Sequence, residues 1–133
     1  DFLSEVDEPN VGASYDAWAP TLQGLSSEQL TLAVRTLGPS IVQTIVADYV
    51  RRPRFKYMPG LTNYSTEPDE VRAVPVGEGI IDYATFFTAL RATGFSGFVT
   101  YEMCSPLRGG GSMDNLDCYA RRFVEWMQGF ASA

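Results

Sequence analysis

The stretch Val76–Met103, "VGEGIIDYATFFTALRATGFSGFVTYEM", contains a helix pattern followed by a strand pattern, and this order decides the fold. Asp82 suits the N-cap of a helix, and the apolar residues after it recur at the spacing of one helical face. These residues are Tyr83, Phe86, Phe87 and Leu90. Gly94 is expected to end the helix, and "FSGFVTYE", Phe95–Glu102, predicts a strand. The stretch therefore predicts a helix that leads directly into a strand.

A second strand is predicted upstream, in "SIVQTIV", Ser40–Val46, and it ends at Asp48. Its nearly continuous run of β-branched residues is typical of a strand buried on both faces of a parallel sheet. The connection that follows, residues 51–79, is long for a loop and contains several aromatic residues. We interpret it as an ordered functional loop, with a plug over the core as the alternative for its aromatic side chains.

The N-terminal part of the chain predicts one more strand and one more helix. Residues 10–15 predict the strand, and a loop is expected to follow it through residue 20. Ser26 and Gln29 have the spacing of a capping box, and Gly38 is expected to end the helix that they begin.

The last helix is expected to begin after Ser112, which suits its N-cap. Its predicted buried stripe consists of Leu116, Tyr119, Ala120, Phe123, Val124 and Met127. Three strands thus alternate with three helices along the chain. This alternation predicts an α/β fold with a parallel sheet and right-handed crossovers.

Composition narrows the classes of function. The chain has 133 residues, which suits one domain, and its net charge of −6 argues against binding nucleic acid. No apolar run approaches the roughly 20 residues of a membrane-spanning helix. Cys104 and Cys118 are interpreted as free thiols, Cys104 as a small buried apolar side chain, and a cytoplasmic location is expected. Histidine, the commonest general base and metal ligand, does not occur in the sequence.

Acidic side chains follow all three predicted strands, as Asp16, Asp48 and Glu102. The carboxyl ends of parallel strands lie on one edge of the sheet, so these side chains are expected to meet there. Crowded carboxylates need a cation or arginines to offset their repulsion. A divalent cation with a polar substrate fits such an edge. The alternative is that each acid merely caps a turn or a helix.

The loops after these strands contribute the remaining candidate residues. Arg51, Arg52 and Arg108 are the candidate substrate-binding arginines. The glycines 109–111 precede the last helix, where their backbone N–H groups can hold an anion. The alternative for the glycines is a flexible surface loop.

Three segments resemble the sugar phosphate isomerase/epimerase family: "VGASYDAW" (11–18), "VADYVRR" (46–52) and the long stretch from residue 74 to residue 103. That family has the xylose isomerase-like TIM-barrel fold, shared with the endonuclease IV type proteins of the AP endonuclease family 2 superfamily. The resemblance covers nearly the whole chain. It implies that the chain is the last three βα units of a (β/α)8 barrel.

The resemblance also implies roles for individual residues. Members acting on ketoses bind Mn²⁺, Mg²⁺ or Co²⁺ through two Glu, one Asp and one His. Asp16 and Glu102 match two of these metal ligands, and Glu102 also matches the base that moves a proton at the sugar carbon. Asp48 is implied as a second catalytic acid that, with Arg51 and Arg52, orients substrate hydroxyls. Arg108 is implied to hold a distal anionic group.

The sequence departs from the family at the metal ligands. The positions of the family's histidines are Ala19 and Ile45 here, and neither side chain binds a cation. Gln43 points to the same face as Ile45 and offers an amide oxygen one layer deeper. The divalent metal is therefore expected to be retained with Asp16, Glu102 and Gln43, or to be weakened or lost.

Three βα units cannot close a barrel, which takes about 250 residues. Because the chain also begins at Asp1 rather than Met, we expect the remainder as a second chain, a cleaved N-terminal piece or a symmetric copy. Two functions follow as alternatives. One is part of a metal-dependent isomerase, epimerase or lyase for a sugar-like substrate. The other is a non-catalytic subunit derived from such a barrel. A DNA-repair endonuclease is disfavoured by the lack of histidine and by the acidic charge.

Overall fold

The computed structural model of the chain describes residues 2–104 and 107–131. The elements along the chain are α1 (Phe2–Val6), β1 (Ala13–Ser14), α2 (Trp18–Leu22), α3 (Ser27–Leu37), β2 (Ile41–Val46), β3 (Asp48–Met58), β4 (Asn63–Val74), α4 (Tyr83–Ala92), β5 (Phe98–Tyr101) and α5 (Met113–Ala131). Within these ranges no helix combines the length and the apolar character that crossing a membrane requires.

A three-stranded parallel sheet lies at the centre of the fold, in the order β1-β2-β5. In the register, Ser14 lies opposite Gln43, and Val46 lies opposite Tyr101. The prediction of parallel strands joined through helices is confirmed. Such an arrangement is consistent with part of a TIM barrel, and β1 and β5 are the two edges of the sheet.

The caps of α3 and α4 form as predicted. Gln29 N donates to Ser26 Oγ at 3.3 Å, and Ser26 N donates to Gln29 Oε1 at 2.9 Å. Asp82 Oδ1 accepts a hydrogen bond from Thr85 N at 3.0 Å. Gly38, with a φ of 52°, ends α3 in a conformation that glycine adopts without strain.

The hydrophobic core lies between one face of the sheet and the helices. Phe86, Leu30 and Leu90 are its largest fully buried side chains. The Tyr83 hydroxyl donates to Ala47 O at 2.6 Å, which ties α4 to the junction between β2 and β3. The core therefore joins α3, α4 and α5 to β2, the central strand.

The buried stripe of α5 differs from the prediction at Val124, which is 56% exposed. The side chains that pack on the core are Phe123, Trp126, Met127 and Phe130. Their i, i+3, i+4 and i+7 spacing defines a stripe whose edge passes beside Val124. Val42 is also 51% exposed, so the expectation that β2 is buried on both faces is wrong at its start.

The largest difference from the sequence prediction is the connection after Asp48. It is a long antiparallel hairpin formed by β3 and β4, rather than a loop. The pairing shifts between Arg52 and Arg54, where Pro53 lacks a backbone N–H to donate. Residues 51–61 are exposed on both sides of the hairpin, so no alternation of apolar residues marks the strand in the sequence.

Three shorter elements also differ from expectation. The first strand comprises only Ala13–Ser14, and the expected loop contains the helix α2. Pro20 is compatible with this helix because it lies in the first turn, where backbone N–H groups have no helical partner. The helix α1 had no counterpart in the sequence prediction.

Candidate functional site

Asp16 and Glu102 lie on either side of the carboxyl end of β2. The Ile45 N–H donates to Asp16 Oδ1 at 3.3 Å. The Glu102 N–H donates to the carbonyl of Val46 at 2.8 Å. The structure thus brings these two acids to the same edge of the sheet, one from the end of β1 and one from the end of β5.

The environments of the two carboxyl groups differ. Partial burial raises the pKa of Asp16, and the hydrogen bond from Ile45 N opposes this increase. Glu102 is exposed to solvent. Asp16 is therefore the more shielded group, and Glu102 is the group that an entering molecule can reach.

Asp48 has a different environment from the other two acids. Its side chain is buried, and its carboxylate accepts hydrogen bonds from Tyr49 N at 3.0 Å and from Gly77 N and Gly79 N at 2.9 Å each. Burial raises the pKa of Asp48, and these hydrogen bonds oppose the increase. This geometry is that of the turn cap considered as the alternative for each acid. It fastens the base of the hairpin to the turn before α4.

Gln43 lies deeper in the sheet than the two edge acids, as expected. In the register it is opposite Phe98, whereas Ile45 is opposite Thr100, nearer the edge. The Gln43 Nε2 donates to Thr100 Oγ1 at 3.2 Å. The hydrogen bond leaves the amide oxygen as the group of Gln43 that can act as a metal ligand.

Arg51 is separate from the other two candidate arginines, Arg52 and Arg108, which line the same cavity. Arg51 donates a hydrogen bond to the carbonyl of Leu22 at the end of α2. Arg108 forms an ion pair with Glu78 at 3.2 Å. Arg52 lines a cavity beside β5. They do not form one cluster around Asp16 and Glu102.

The glycine loop is folded against the first turns of α5. Asn115 Nδ2 donates to the carbonyl of Arg108 at 3.1 Å and also to that of Gly110. Gly109 and Gly110 have φ values of 91° and 84°, which side chains rarely adopt. The positive φ values thus explain why glycine occupies these two positions.

A row of side chains across the same edge was missed in the sequence. The rings of Trp18 and Tyr49 lie 5.3 Å apart, and Tyr49 Oη lies 3.0 Å from Cys104 Sγ. Trp18 Nε1 is buried and has no hydrogen-bond partner within the described residues. Each member of the row follows a candidate acid by one or two residues, a spacing that could have identified it.

The Tyr49–Cys104 contact corrects the interpretation of Cys104. The thiol is half-buried and hydrogen-bonded, rather than a buried apolar group. Burial raises the pKa of Cys104, and the hydrogen bond with Tyr49 opposes this increase. Burial also raises the pKa of the Tyr49 hydroxyl, with Cys104 and Glu102 adding to the increase.

The oxygen atoms of Asp16 and Glu102 are of the kind that a hard divalent cation binds, but two side chains are too few for a complete site. The Asp16 and Glu102 carboxylates are oxygen ligands of the kind that Mg²⁺ and Mn²⁺ prefer. Among residues 2–104 and 107–131, no three Cys, Asp or Glu side chains come together as a possible metal site. The two carboxylates alone do not fill the six or more positions around such a cation.

Comparison with known proteins gives one finding. A family model described as "xylose isomerase-like TIM barrel" matches residues 1–128. No curated protein and no solved structure gives a significant match to the chain.

Proposed function

This chain belongs to the xylose isomerase-like TIM-barrel family, and from this we propose that it forms part of a divalent-metal-dependent isomerase or epimerase. The substrate is a sugar or another polyhydroxy carbonyl compound. The observation that carries the proposal is the position of Asp16 and Glu102 on either side of the end of β2. Ligands of parallel α/β folds bind at this edge.

Glu102 is the proposed base, because it is the accessible carboxylate of the pair. It removes a proton from the carbon next to the substrate carbonyl, and return of the proton to the resulting enediolate gives the product. Asp16 and Glu102 would hold the cation, with the Gln43 amide oxygen as a deeper ligand. When bound, the cation polarises the carbonyl oxygen of the substrate.

The neighbouring residues have supporting roles in the proposal. Asp48 holds the base of the hairpin in place, through its three backbone hydrogen bonds, rather than reacting with substrate. Trp18 and Tyr49 present aromatic surface beside the acids. Arg51 positions α2 through its hydrogen bond to Leu22.

We propose that the rest of the barrel, as another chain or another part of the same protein, completes the sheet. Both β1 and β5 are edge strands, which are open to further pairing. Phe98, on the sheet face opposite the helices, is 80% exposed. Native mass spectrometry is expected to detect an assembly larger than the 133-residue chain. A stable monomer of this chain alone would contradict this proposal.

The test of the proposed reaction is Glu102→Gln. This variant is expected to abolish turnover and to keep the melting temperature, because Glu102 is exposed and its backbone N–H makes the contact with Val46. Glu125→Gln, at an exposed acid of α5, is the matched control and is expected to keep full turnover. Unchanged turnover in Glu102→Gln would end the assignment.

A non-catalytic subunit is the second candidate. It is favoured by the lack of histidine in the sequence and by the lack of a three-ligand group in the part of the chain described by the structure. Elemental analysis of the assembled protein for Mn, Mg, Co and Zn discriminates the two functions. Bound metal that raises the melting temperature supports the enzyme, and its absence supports the non-catalytic subunit.

A further inference from the structure

A cavity of about 250 Å³ lies between the base of the hairpin, the end of β5, the glycine loop and α5. Three arginines line it, each from a different element: Arg52 from β3, Arg72 from β4 and Arg108 from the glycine loop. They are three of only 10 Lys and Arg residues in a chain of net charge −6. None of the lining residues that the structure describes is acidic.

Positive charge around the cavity exceeds the negative charge that compensates it. Arg72 pairs with Glu70 at 2.6 Å, and Arg108 pairs with Glu78 at 3.2 Å. Glu78 is shared, because it also pairs with Arg122 at 2.9 Å. Within residues 2–104 and 107–131, Arg52 makes no ion pair, because Glu70, which lies opposite it in the hairpin register, pairs with Arg72 instead. The Arg52 guanidinium is therefore available to an anion entering the cavity.

The wall of the cavity holds Arg108 in position from two sides. Its side chain is paired with Glu78, and its carbonyl accepts a hydrogen bond from the Tyr119 hydroxyl at 3.2 Å. Prior fixation of a charged group reduces the conformational entropy that binding costs.

The cavity is adjacent to the candidate site. Cys104 belongs to its lining, and the thiol lies 3.0 Å from the Tyr49 hydroxyl. Cys104 also follows Glu102 by two residues. The Cys104 thiol also lies 3.9 Å from the Glu102 carbonyl, so Cys104 borders both the cavity and the Glu102 edge.

We propose that this cavity binds the anionic end, a phosphate or a carboxylate, of the substrate whose reacting carbon lies at Glu102. This inference rests on the proposed function for the reacting end, and on the cavity alone for the anionic end. The guanidinium fork matches both kinds of oxyanion, and charge-assisted hydrogen bonds are about twice as strong as neutral ones. Arg52 is the principal ligand, and Arg72 and Arg108 add to the field.

Calorimetric titration of the assembled protein with inorganic phosphate, and separately with acetate at equal ionic strength, tests the proposal. Binding of phosphate identifies a phosphate site, and binding of acetate alone identifies a carboxylate site. Arg52→Gln is expected to weaken binding about tenfold, the usual effect of losing one charged hydrogen bond. Arg52→Lys keeps the charge but lacks the planar guanidinium. Its affinity for the anion is expected to lie between those of Arg52→Gln and the unchanged protein.

Arg54→Gln is the matched control, because Arg54 is on the same strand but pairs with Glu67 at 3.0 Å. It is expected to bind the anion as the unchanged protein does. An equal loss in both variants would indicate general charge attraction and overturn the proposal, as would binding of neither anion. Circular dichroism establishes that each variant is folded.

Two outcomes distinguish anion binding in the cavity from the proposed reaction at Glu102. Anion binding that depends on Arg52, with no isomerase or epimerase turnover, supports the cavity and rejects the reaction. Turnover of neutral sugars that is insensitive to phosphate and to Arg52→Gln supports the reaction and overturns the cavity.

Discussion

Asp48 and Gly79 approach so closely that no side chain fits between them. The Gly79 N–H donates to Asp48 Oδ2 at 2.9 Å, and a Cβ built on Gly79 would lie 1.8 Å from Asp48 Oδ1. The glycine is thus required by the buried carboxylate, and the carboxylate is satisfied by the backbone of the glycine. Together they close the loop that begins with the hairpin and ends before α4.

Replacing Asp48 with Asn is expected to destabilise the fold by about 2 kcal/mol, because buried donors lose charge-assisted bonds. Its amide group would also point an N–H either toward Tyr49 N or toward Gly77 N and Gly79 N together. Chemical denaturation measures this change, and Asp69→Asn, at an exposed position of β4, is the control. A variant with unchanged stability and lost turnover would instead support a catalytic Asp48.

Gly79→Ala is expected to destabilise the protein by more than about 3 kcal/mol, as overpacking against a buried group does. The matched control is Gly111→Ala, because a Cβ there meets no atom within 4 Å and the backbone φ is ordinary. That control is expected to change the free energy of unfolding by less than about 0.5 kcal/mol. Equal effects in thermal denaturation would refute the close-packing argument.

Asp82 provides a prediction about acid stability. Burial opposes ionisation of Asp82, but hydrogen bonds from Ser27 and Thr85 outweigh it and lower the pKa below the ordinary 3.8. Because the folded pKa is the lower one, this stabilisation is present above pH 3.8 and is lost as pH falls through the lowered value.

Asp82→Ala should therefore cost about 1 kcal/mol near neutral pH, the usual contribution of an N-cap. The difference from the unchanged protein should shrink when denaturation is repeated at decreasing pH. A difference that stays constant below pH 3.8 would show that the ionised carboxylate is not what stabilises the cap.

The outer part of the hairpin is expected to contribute little to the stability of this chain. Arg54 and Glu67 are paired across the strands, so an Asn-Gly turn can replace residues 55–66 between them. The melting temperature should change by less than about 2 °C, since residues 55–66 are all exposed. A larger decrease would indicate that the removed residues are buried in an assembly.

Local patterns explain which parts of the fold were predictable. The capping box of Ser26 and Gln29 and the apolar spacing after Asp82 depend on residues within one helix, and both predictions are confirmed. The hairpin was missed because both of its faces meet solvent, so burial imposes no alternation on its sequence. Its pairing of basic and acidic residues, such as Arg54 with Glu67, is visible only once the register is known.

The part of the candidate site that follows from the order and direction of the strands was predictable. Parallel strands bring Asp16 and Glu102 to one edge whatever their side chains contact. The partners of Asp48 lie 29 and 31 residues away, and Tyr49 and Cys104 are 55 residues apart. No local pattern specifies such contacts, so the role of Asp48 and the position of Cys104 required coordinates.

Both acids are anchored to the end of β2, Asp16 through Ile45 N and Glu102 through Val46 O. The geometry of this strand end therefore sets the spacing between them. A change that shifts the end of this strand moves the two anchoring points together and preserves their spacing. A kink between Ile45 and Val46 alters the spacing without touching either acid. Engineering of the separation between the carboxylates can therefore begin in a strand that carries neither of them.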